Sequence, residues 1–427
     1  MTLWPALLLL ALLALNVPVA ISMIGAALLY FALGGELPID LVAQRIVSTT
    51  ESFPLLALPF FVLAGSIMNA AGITRRLLDL ADKFVGHLIG GLAQINVMLA
   101  TMMGGLTASA NADAAMLAKM LGPAMVARGY SRGFSAAVVA CSSIIVAMIP
   151  PSIGLIVYAY LANVSVGRLF IAGIVPGILI VAALMTTIYA IARHRHYLPA
   201  RTRMASGREI WTAFKDAIWA LTLPLLIVIG IRGGVFTPTE AGAIAVLYAA
   251  FVGVFLYREL RVKHIARILT ETVTTSAVVM LIICGAATFG HYMVWEAIPT
   301  QLAAALITLT DHPAALLFCI NGLLLLIGMI VEGTAALILL TPILIPVILK
   351  LGVDPIHFGI VMVLNLTIGG VTPPVGTLMF TASSILRVRI GTATREALPL
   401  LGALMLVLAI VTAIPVLSLW LPNLLMP

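Results

Sequence analysis

Charge is scarce in this sequence: Asp, Glu, Lys and Arg make up 9% of its 427 residues, against 62% hydrophobic. A soluble chain of this length needs far more charge to cover its surface, so that class is excluded and a polytopic membrane protein remains. The alternation over about ten residues that marks a membrane β-barrel is missing too. Runs such as Leu7–Leu13 do not alternate and read as helix. Cysteine is nearly absent. Cys141, Cys284 and Cys319 fall at unrelated spacings in apolar stretches, which leaves them as small buried hydrophobes rather than disulfide partners or metal ligands. His-Glu-x-x-His, Gly-x-Ser-x-Gly and the Walker Gly-x-x-x-x-Gly-Lys-Ser/Thr are all lacking. Without a phosphate-binding loop the chain does not hydrolyse ATP by itself, so any pumping draws on an ion gradient.

What is present is a long series of apolar stretches, roughly ten to twelve crossings plus shorter re-entrant pieces at about 20 residues per span. The first, Leu3 to Leu33, has no basic flank before it and reads as a retained helix. The net charge of +7 is no nucleic-acid signal, because the basic residues sit between helices. Arg193, Arg195, Arg201, Arg203, Arg208 and Lys215 form one cluster, and Arg258, Arg261, Lys263 and Arg267 form another. Both belong on the cytoplasmic side. Ile218–Ile231 and Ala241–Leu256 make the trip out and back between them. Thr74–Val85, with Arg75, Arg76, Asp79, Asp82 and Lys83 among Leu77, Leu78, Leu80 and Phe84, reads as an amphipathic helix along the membrane surface.

The chain also repeats itself. A shift of 223 residues superposes Pro150-Pro151 on Pro373-Pro374, Pro123 on Pro346, Pro176 on Pro399 and Pro199 on Pro422, with Gly105 on Gly328 and Gly129 on Gly352. Chance would give fewer than one proline coincidence, so these five mark an internal duplication. The charges invert it: Arg128 and Arg132 precede the first diproline segment, whereas Arg387, Arg389 and Arg395 follow the second. The resulting division is a first repeat over 1–217, a connecting helical hairpin over 218–257 and a second repeat over 258–427. Within the first lie scaffold helices (1–90), a hairpin and broken helix (91–192) and a basic cytoplasmic loop (193–217). Within the second lie scaffold helices (258–313), a hairpin and broken helix (314–396) and a final helix (397–421).

A Pro-Pro pair removes two backbone donors and drives the preceding residue out of the helical region, so each helix must break. Small and hydroxylated residues flank the breaks: Ser142, Ser143, Ser152 and Gly154 in the first, Asn365, Thr367, Gly369, Gly370, Thr372 and Gly376 in the second. Broken backbone at membrane depth is tolerated only inside protein or around a cavity, and freed carbonyls with hydroxyls are hard oxygen ligands suited to Na⁺. The competing reading is a pair of structural kinks with helix-packing glycines. Ahead of each break lies a polar interruption, Gly104–Asp113 and Gly328–Thr334, whose arms of about a dozen residues suit a re-entrant hairpin. Asp113 and Glu332 are intramembrane carboxylates. A helix cap or a Lys119 partner for Asp113, and a cap for Glu332, compete with an ion-binding role.

These stretches resemble the large membrane subunit of tripartite ATP-independent periplasmic (TRAP) transporters of the C4-dicarboxylate type. Carrying the likeness are Phe53–Phe61, Ser109–Asp113, Ile149–Ile153, Leu169–Gly177, Phe236–Ala241 and Thr372–Gly376, in this order. The resemblance implies an all-α, elevator-type transporter of the bacterial inner membrane, with two inverted repeats, discontinuous helices, about eleven or twelve spans and two re-entrant hairpins. It implies Na⁺ coupling, a small four-helix membrane partner, and a periplasmic binding protein that delivers an organic acid. One ion site would join Ser109 and Asn111 to Pro150, Pro151, Ser152 and Gly154. The other would join Glu332, Gly333 and Thr334 to Thr372, Pro373, Val375 and Gly376. Substrate would sit between the tips, against Ser109, Asn111, Thr334, Pro151 and Pro374. The chain departs from the family pattern at Ala108, where Gly is usual, and at Val146-Ala147, where Gly-Pro is usual. A stand-alone ion–carboxylate symporter and an intramembrane enzyme using Asp113 with Glu332 are the competing functions; the second lacks a nucleophile.

Overall fold

The computed structural model describes residues 3–15, 17–34, 40–107, 109–301 and 313–426, and within them every regular element is helical. Ala108 lies outside the described residues. Seven described helices are long and apolar enough to cross a bilayer, or eight if the bent pair Arg132–Met148 and Ile153–Ala162 is one span. The uninterrupted crossings number fewer than ten to twelve because several apolar stretches are divided into helices of 10–17 residues, among them Pro355–Gly369 and Thr377–Leu386.

An outer group is built around the 34-residue helix Val262–Trp295. It packs against Val19–Gly34, Asp40–Thr50 and Ala57–Ala70, and the last of these packs in turn on Pro238–Phe251. Thr237 opens that helix with a capping box, its hydroxyl accepting from Glu240 N while the Glu240 carboxylate accepts from Thr237 N. The amphipathic helix Ile73–Val85 buries Ile73, Leu77, Leu80 and Ala81. Its charged face is bolted to the basic segments: Arg76 pairs with Glu259 at 2.8 Å, and Arg201 bridges Asp82 and Glu209, each at 3.2 Å.

The inner group holds both interruptions. Gly91–Thr107 and Ala110–Met120 form the first hairpin; Pro313–Gly328 and Gly333–Lys350 form the second. Arg132–Ser142, Ile145–Met148 and Ile153–Ala162 make one broken helix, and Pro355–Gly369 with Thr377–Leu386 makes the other. Both diproline bonds are cis. The two halves interlock. Ile153–Ala162, after the first break, packs on Gly333–Lys350 of the second hairpin, while Thr377–Leu386, after the second break, packs on Ala110–Met120 of the first. Each also packs on the opposite repeat's broken helix. At one such crossing Tyr158, fully buried, lies flat against Gly359 and donates its hydroxyl to the Pro355 carbonyl at 2.6 Å.

Cys141 and Cys284 are buried, but Cys319 is exposed, contrary to the expectation for all three. It occupies the outer side of Pro313–Gly328, where an apolar residue meets lipid as readily as core.

The crossing yields a prediction. A Cβ on Gly359 would lie 2.3 Å from Tyr158 Cε1, with no flexible atom to yield. Gly359→Val should therefore destabilise the purified protein by about 1–3 kcal/mol. Tyr158→Phe, which keeps the ring and loses one hydrogen bond, should cost about 1 kcal/mol. Thermal unfolding in detergent checks both, and equal melting temperatures for Gly359→Val and the parent would refute the interlock.

Candidate functional site

Between the hairpins, the breaks and the outer helices lies a cavity of about 530 Å³. Four helices begin at its wall. Ala110–Met120 contributes Ala110 and Asn111; Ile153–Ala162 contributes Ile153 and Gly154; Gly333–Lys350 contributes Gly333, Thr334 and Ala335; Thr377–Leu386 contributes Thr377 and Leu378. These are all first-turn residues, whose backbone N–H groups have no partner within their own helix. Each helix start carries roughly half a positive charge. Among the described residues, no Lys or Arg lines the cavity. The outer group closes it with Pro18–Ala20 and with Thr275, Val278, Val279, Leu281 and Ile282 of Val262–Trp295.

The caps of these helices explain the polar residues. Ser109 caps the first, its hydroxyl accepting from Ala112 N at 3.4 Å. Glu332 caps the third: one carboxylate oxygen accepts from Ala335 N at 2.9 Å and the other from the Thr334 hydroxyl at 3.0 Å. Ser152 precedes the second and is buried, and no side-chain cap hydrogen bond forms there. Gly376, at φ +51°, turns the chain into the fourth, where a side chain would be strained. Asp113 is neither cap nor partner of Lys119. It is fully buried, and the Thr107 hydroxyl donates to it at 2.7 Å across the hairpin turn. Asp113 does not line the cavity and Glu332 does, so the two carboxylates do not flank a common substrate space.

Of the residues singled out in sequence, Ser109, Asn111, Ser152, Gly154, Glu332, Gly333 and Thr334 meet around the cavity. Pro150, Pro151, Thr372, Pro373, Pro374, Val375 and Gly376 are not among its lining residues. The Thr372 hydroxyl is turned back to the Ile368 carbonyl at 2.8 Å. Val375 and Gly376 give their N–H groups to the Met329 carbonyl at 3.3 and 3.4 Å, which ties the second break to the end of the second hairpin's outer arm. Thr367 and Gly370, singled out beside the second break, line the cavity too, whereas Ala147, Thr275 and Thr377 line it without having been foreseen as site residues. Thr377 had a signal: it is the 223-shifted counterpart of Gly154. Thr275 had none, since it lies on a helix outside the repeated core.

The two breaks differ in cover. Pro150, Pro151 and Ser152 are buried, whereas Pro374 and Val375 are exposed. Glycines account for the first. A Cβ on Gly104 would lie 2.8 Å from Ile149 Cβ, one on Gly173 2.4 Å from the Met148 carbonyl, and one on Gly177 2.9 Å from Ile149 Cδ1. At the second, only Gly328 and Gly369 approach so closely, with 2.6 Å between a Cβ on Gly369 and the Gly328 carbonyl carbon.

Residues 6–417 match the profile of the family described as tripartite ATP-independent periplasmic transporter, DctM component. The chain is 43% identical over 403 residues to the isethionate TRAP transporter permease protein DctMQ of Oleidesulfovibrio alaskensis, covering 94% of this chain and 63% of that longer relative. It is 41% identical to the sialic acid TRAP transporter large permease protein SiaM of Vibrio cholerae, over 97% of both chains. Identity to the C4-dicarboxylate TRAP transporter large permease protein DctM of Pseudomonas aeruginosa is also 41%, over 90% of this chain and 89% of the relative. Among solved structures, the YdaH transporter of Alcanivorax borkumensis shares the fold with a TM-score of 0.63 and 17% identity, over 90% of this chain and 88% of that one.

The cap at Glu332 is open to test. Glu332→Ala removes the acceptor for Ala335 N and should cost about 1 kcal/mol in thermal unfolding, while Glu332→Gln keeps an acceptor and should cost a few tenths. Equal losses would mean that the charge, and not the cap, stabilises this turn.

Proposed function

The chain belongs to the family of the tripartite ATP-independent periplasmic transporter DctM component, the large permease subunit for organic acids in the bacterial inner membrane, and we propose that it is the translocation subunit of a Na⁺-coupled importer. In this reading a periplasmic binding protein delivers the organic acid, and a small four-helix membrane subunit completes the assembly. The large subunit carries its cargo by an elevator motion. The observation that carries the proposal is the cavity: four helix starts surround it and, among the described residues, no basic side chain does. Helix N-termini favour negative charge, so a carboxylate can be bound there without an arginine and released again without breaking a bidentate ion pair.

Four like-signed helix ends and one bound anion leave room for a cation only where oxygen ligands gather. Ser109 and Ser152 contribute hydroxyls to the lining of the cavity, and Glu332 and Thr334 contribute oxygens. These are hard ligands of the kind Na⁺ takes in discontinuous helices. Carbonyls freed by the diproline breaks would complete each shell. The place of the cavity supports the elevator reading. One side is the interlocked pair of hairpins and broken helices; the other is the long helix Val262–Trp295 with Pro18–Ala20. Sliding the first body along the second moves the bound acid across without unfolding its site.

Uptake into proteoliposomes tests this. An inward Na⁺ gradient, the small subunit and a binding protein loaded with a candidate acid (a C4-dicarboxylate, sialic acid or isethionate) should all be required. Uptake by this chain alone would instead make it a stand-alone symporter. Ser152→Ala and Thr372→Ala should each raise the half-saturating Na⁺ concentration about fivefold, the equivalent of one lost oxygen contact. Sodium dependence unchanged in both variants would remove the ion-site assignment.

A further inference from the structure

Buried side-chain hydrogen bonds fasten each hairpin to its broken helix, and the partner on the broken helix is repeat-equivalent in the two halves, whereas Asn96 is shifted onto Cys319, two residues before Asn321. In the first half the Ser142 hydroxyl donates to Asn96 Oδ1 at 2.7 Å. In the second, the Asn365 amide donates to the Asn321 carbonyl at 2.9 Å and to Asn321 Oδ1 at 3.1 Å. Ser142 and Asn365 are 223 residues apart, the shift that superposes the diprolines. Asn96 lies on the outer arm of the first hairpin, Gly91–Thr107, and Asn321 on the outer arm of the second, Pro313–Gly328. All four side chains are buried. The second pair reaches a third element, because the Asn321 amide donates to the Thr412 hydroxyl at 2.8 Å on Ile390–Ala413.

Such bonds are costly to keep at membrane depth. Asn96 Nδ2 and Asn365 Oδ1 are both buried with no partner, and an apolar pair of similar volume would avoid that desolvation. What an apolar pair would not supply is register. The outer arms approach the breaks through Gly104, Gly105 and Gly328, which have no side chains to interdigitate. A glycine-faced contact resists sliding along the helix axis poorly; a directional hydrogen bond resists it well.

We propose that Asn96 with Ser142, and Asn321 with Asn365, are positioning residues: each pair latches a hairpin's outer arm to the first half of its broken helix. Tip and break then move as one body, and the cavity keeps its shape while that body travels. The latch stands on geometry alone; its consequence for transport rests on the transport reading above.

Hydrogen exchange followed by mass spectrometry on the ligand-free, detergent-purified chain tests the latch without any substrate. Asn365→Val should speed exchange about fivefold, as for one lost hydrogen bond, over 328–335 and 370–378. The outer-group segment 238–251 should stay at the parent rate. Asn365→Ser, which restores the hydroxyl-to-amide pairing of the first half, should remain near the parent. Ser142→Ala, which removes only a hydroxyl and carries the test where the valine variant does not fold, should act likewise over 104–113 and 149–154. Exchange unchanged at both tips, a uniform rise along the whole chain, or a serine variant as fast as the valine one would each overturn the proposal. In proteoliposomes Asn365→Val should also raise the half-saturating Na⁺ concentration. If sodium has no effect on any form, coupling fails while the exchange result still decides the latch.

Discussion

The satisfaction of broken backbone in a low-dielectric interior is the constraint on which everything else in this molecule depends. A diproline in an apolar helix strips away two donors and leaves carbonyls without partners, and in lipid each orphan costs several kcal/mol. The structure meets that cost by bringing glycine-faced helices against each break. Gly104, Gly173 and Gly177 crowd Met148 and Ile149 at the first. At the second, the Met329 carbonyl collects the N–H groups of Val375 and Gly376. The breaks therefore exist because the hairpins cover them, and the hairpins end where they do because the breaks receive them. The cavity is a by-product of that fit: four helices restart on the far side of two turns and two breaks, and all four point their starts at one space.

Duplication supplies the parts but not identical surroundings. Pro176 and Pro399 superpose, yet Gly173 and Gly177 correspond under the same shift to Glu396 and Leu400. Those two larger residues cannot close on the second break as the glycines close on the first, and Pro374 and Val375 stay exposed. Glu396 has been turned to another use: it meets Arg195 at 2.6 Å, joining the basic segment after the first repeat to Ile390–Ala413 of the second. A buried break and an open one thus stand in unlike surroundings although both come from one duplicated unit.

Much of this was legible in the residues. Diprolines, polar interruptions and the 223-residue shift located both hairpins, both broken helices and nine of the residues that meet at the cavity, because backbone chemistry is local and prolines announce it. The swap between halves was not legible. That Ile153–Ala162 would lie on Gly333–Lys350, and Thr377–Leu386 on Ala110–Met120, is decided by tertiary packing among helices of similar apolar character, which no periodicity distinguishes. Thr275 escaped for the same reason. The prolines themselves misled in one respect: they mark where the helix stops, whereas the wall of the cavity is made by the first turn of the helix that follows.

That one-turn displacement also bears on the Glu332 carboxylate, which caps one of the four helix starts at the cavity. As a cap, it spends both oxygens on Ala335 N and the Thr334 hydroxyl, so its charge is drawn toward the helix start and away from the centre of the cavity. The third helix start is thus the least positive of the four, and the side it shares with Thr334 the most welcoming to a cation. At the starts beside Ser109, which caps at 3.4 Å, and Ser152, where no side chain caps, no carboxylate neutralises the positive helix end. A cation bound near Glu332 cancels its charge and strengthens the field felt by the anion; an anion bound first draws the cation in. By linkage the two effects are equal in free energy. On the transport reading proposed above, ion and acid would be coupled by electrostatics across one small cavity.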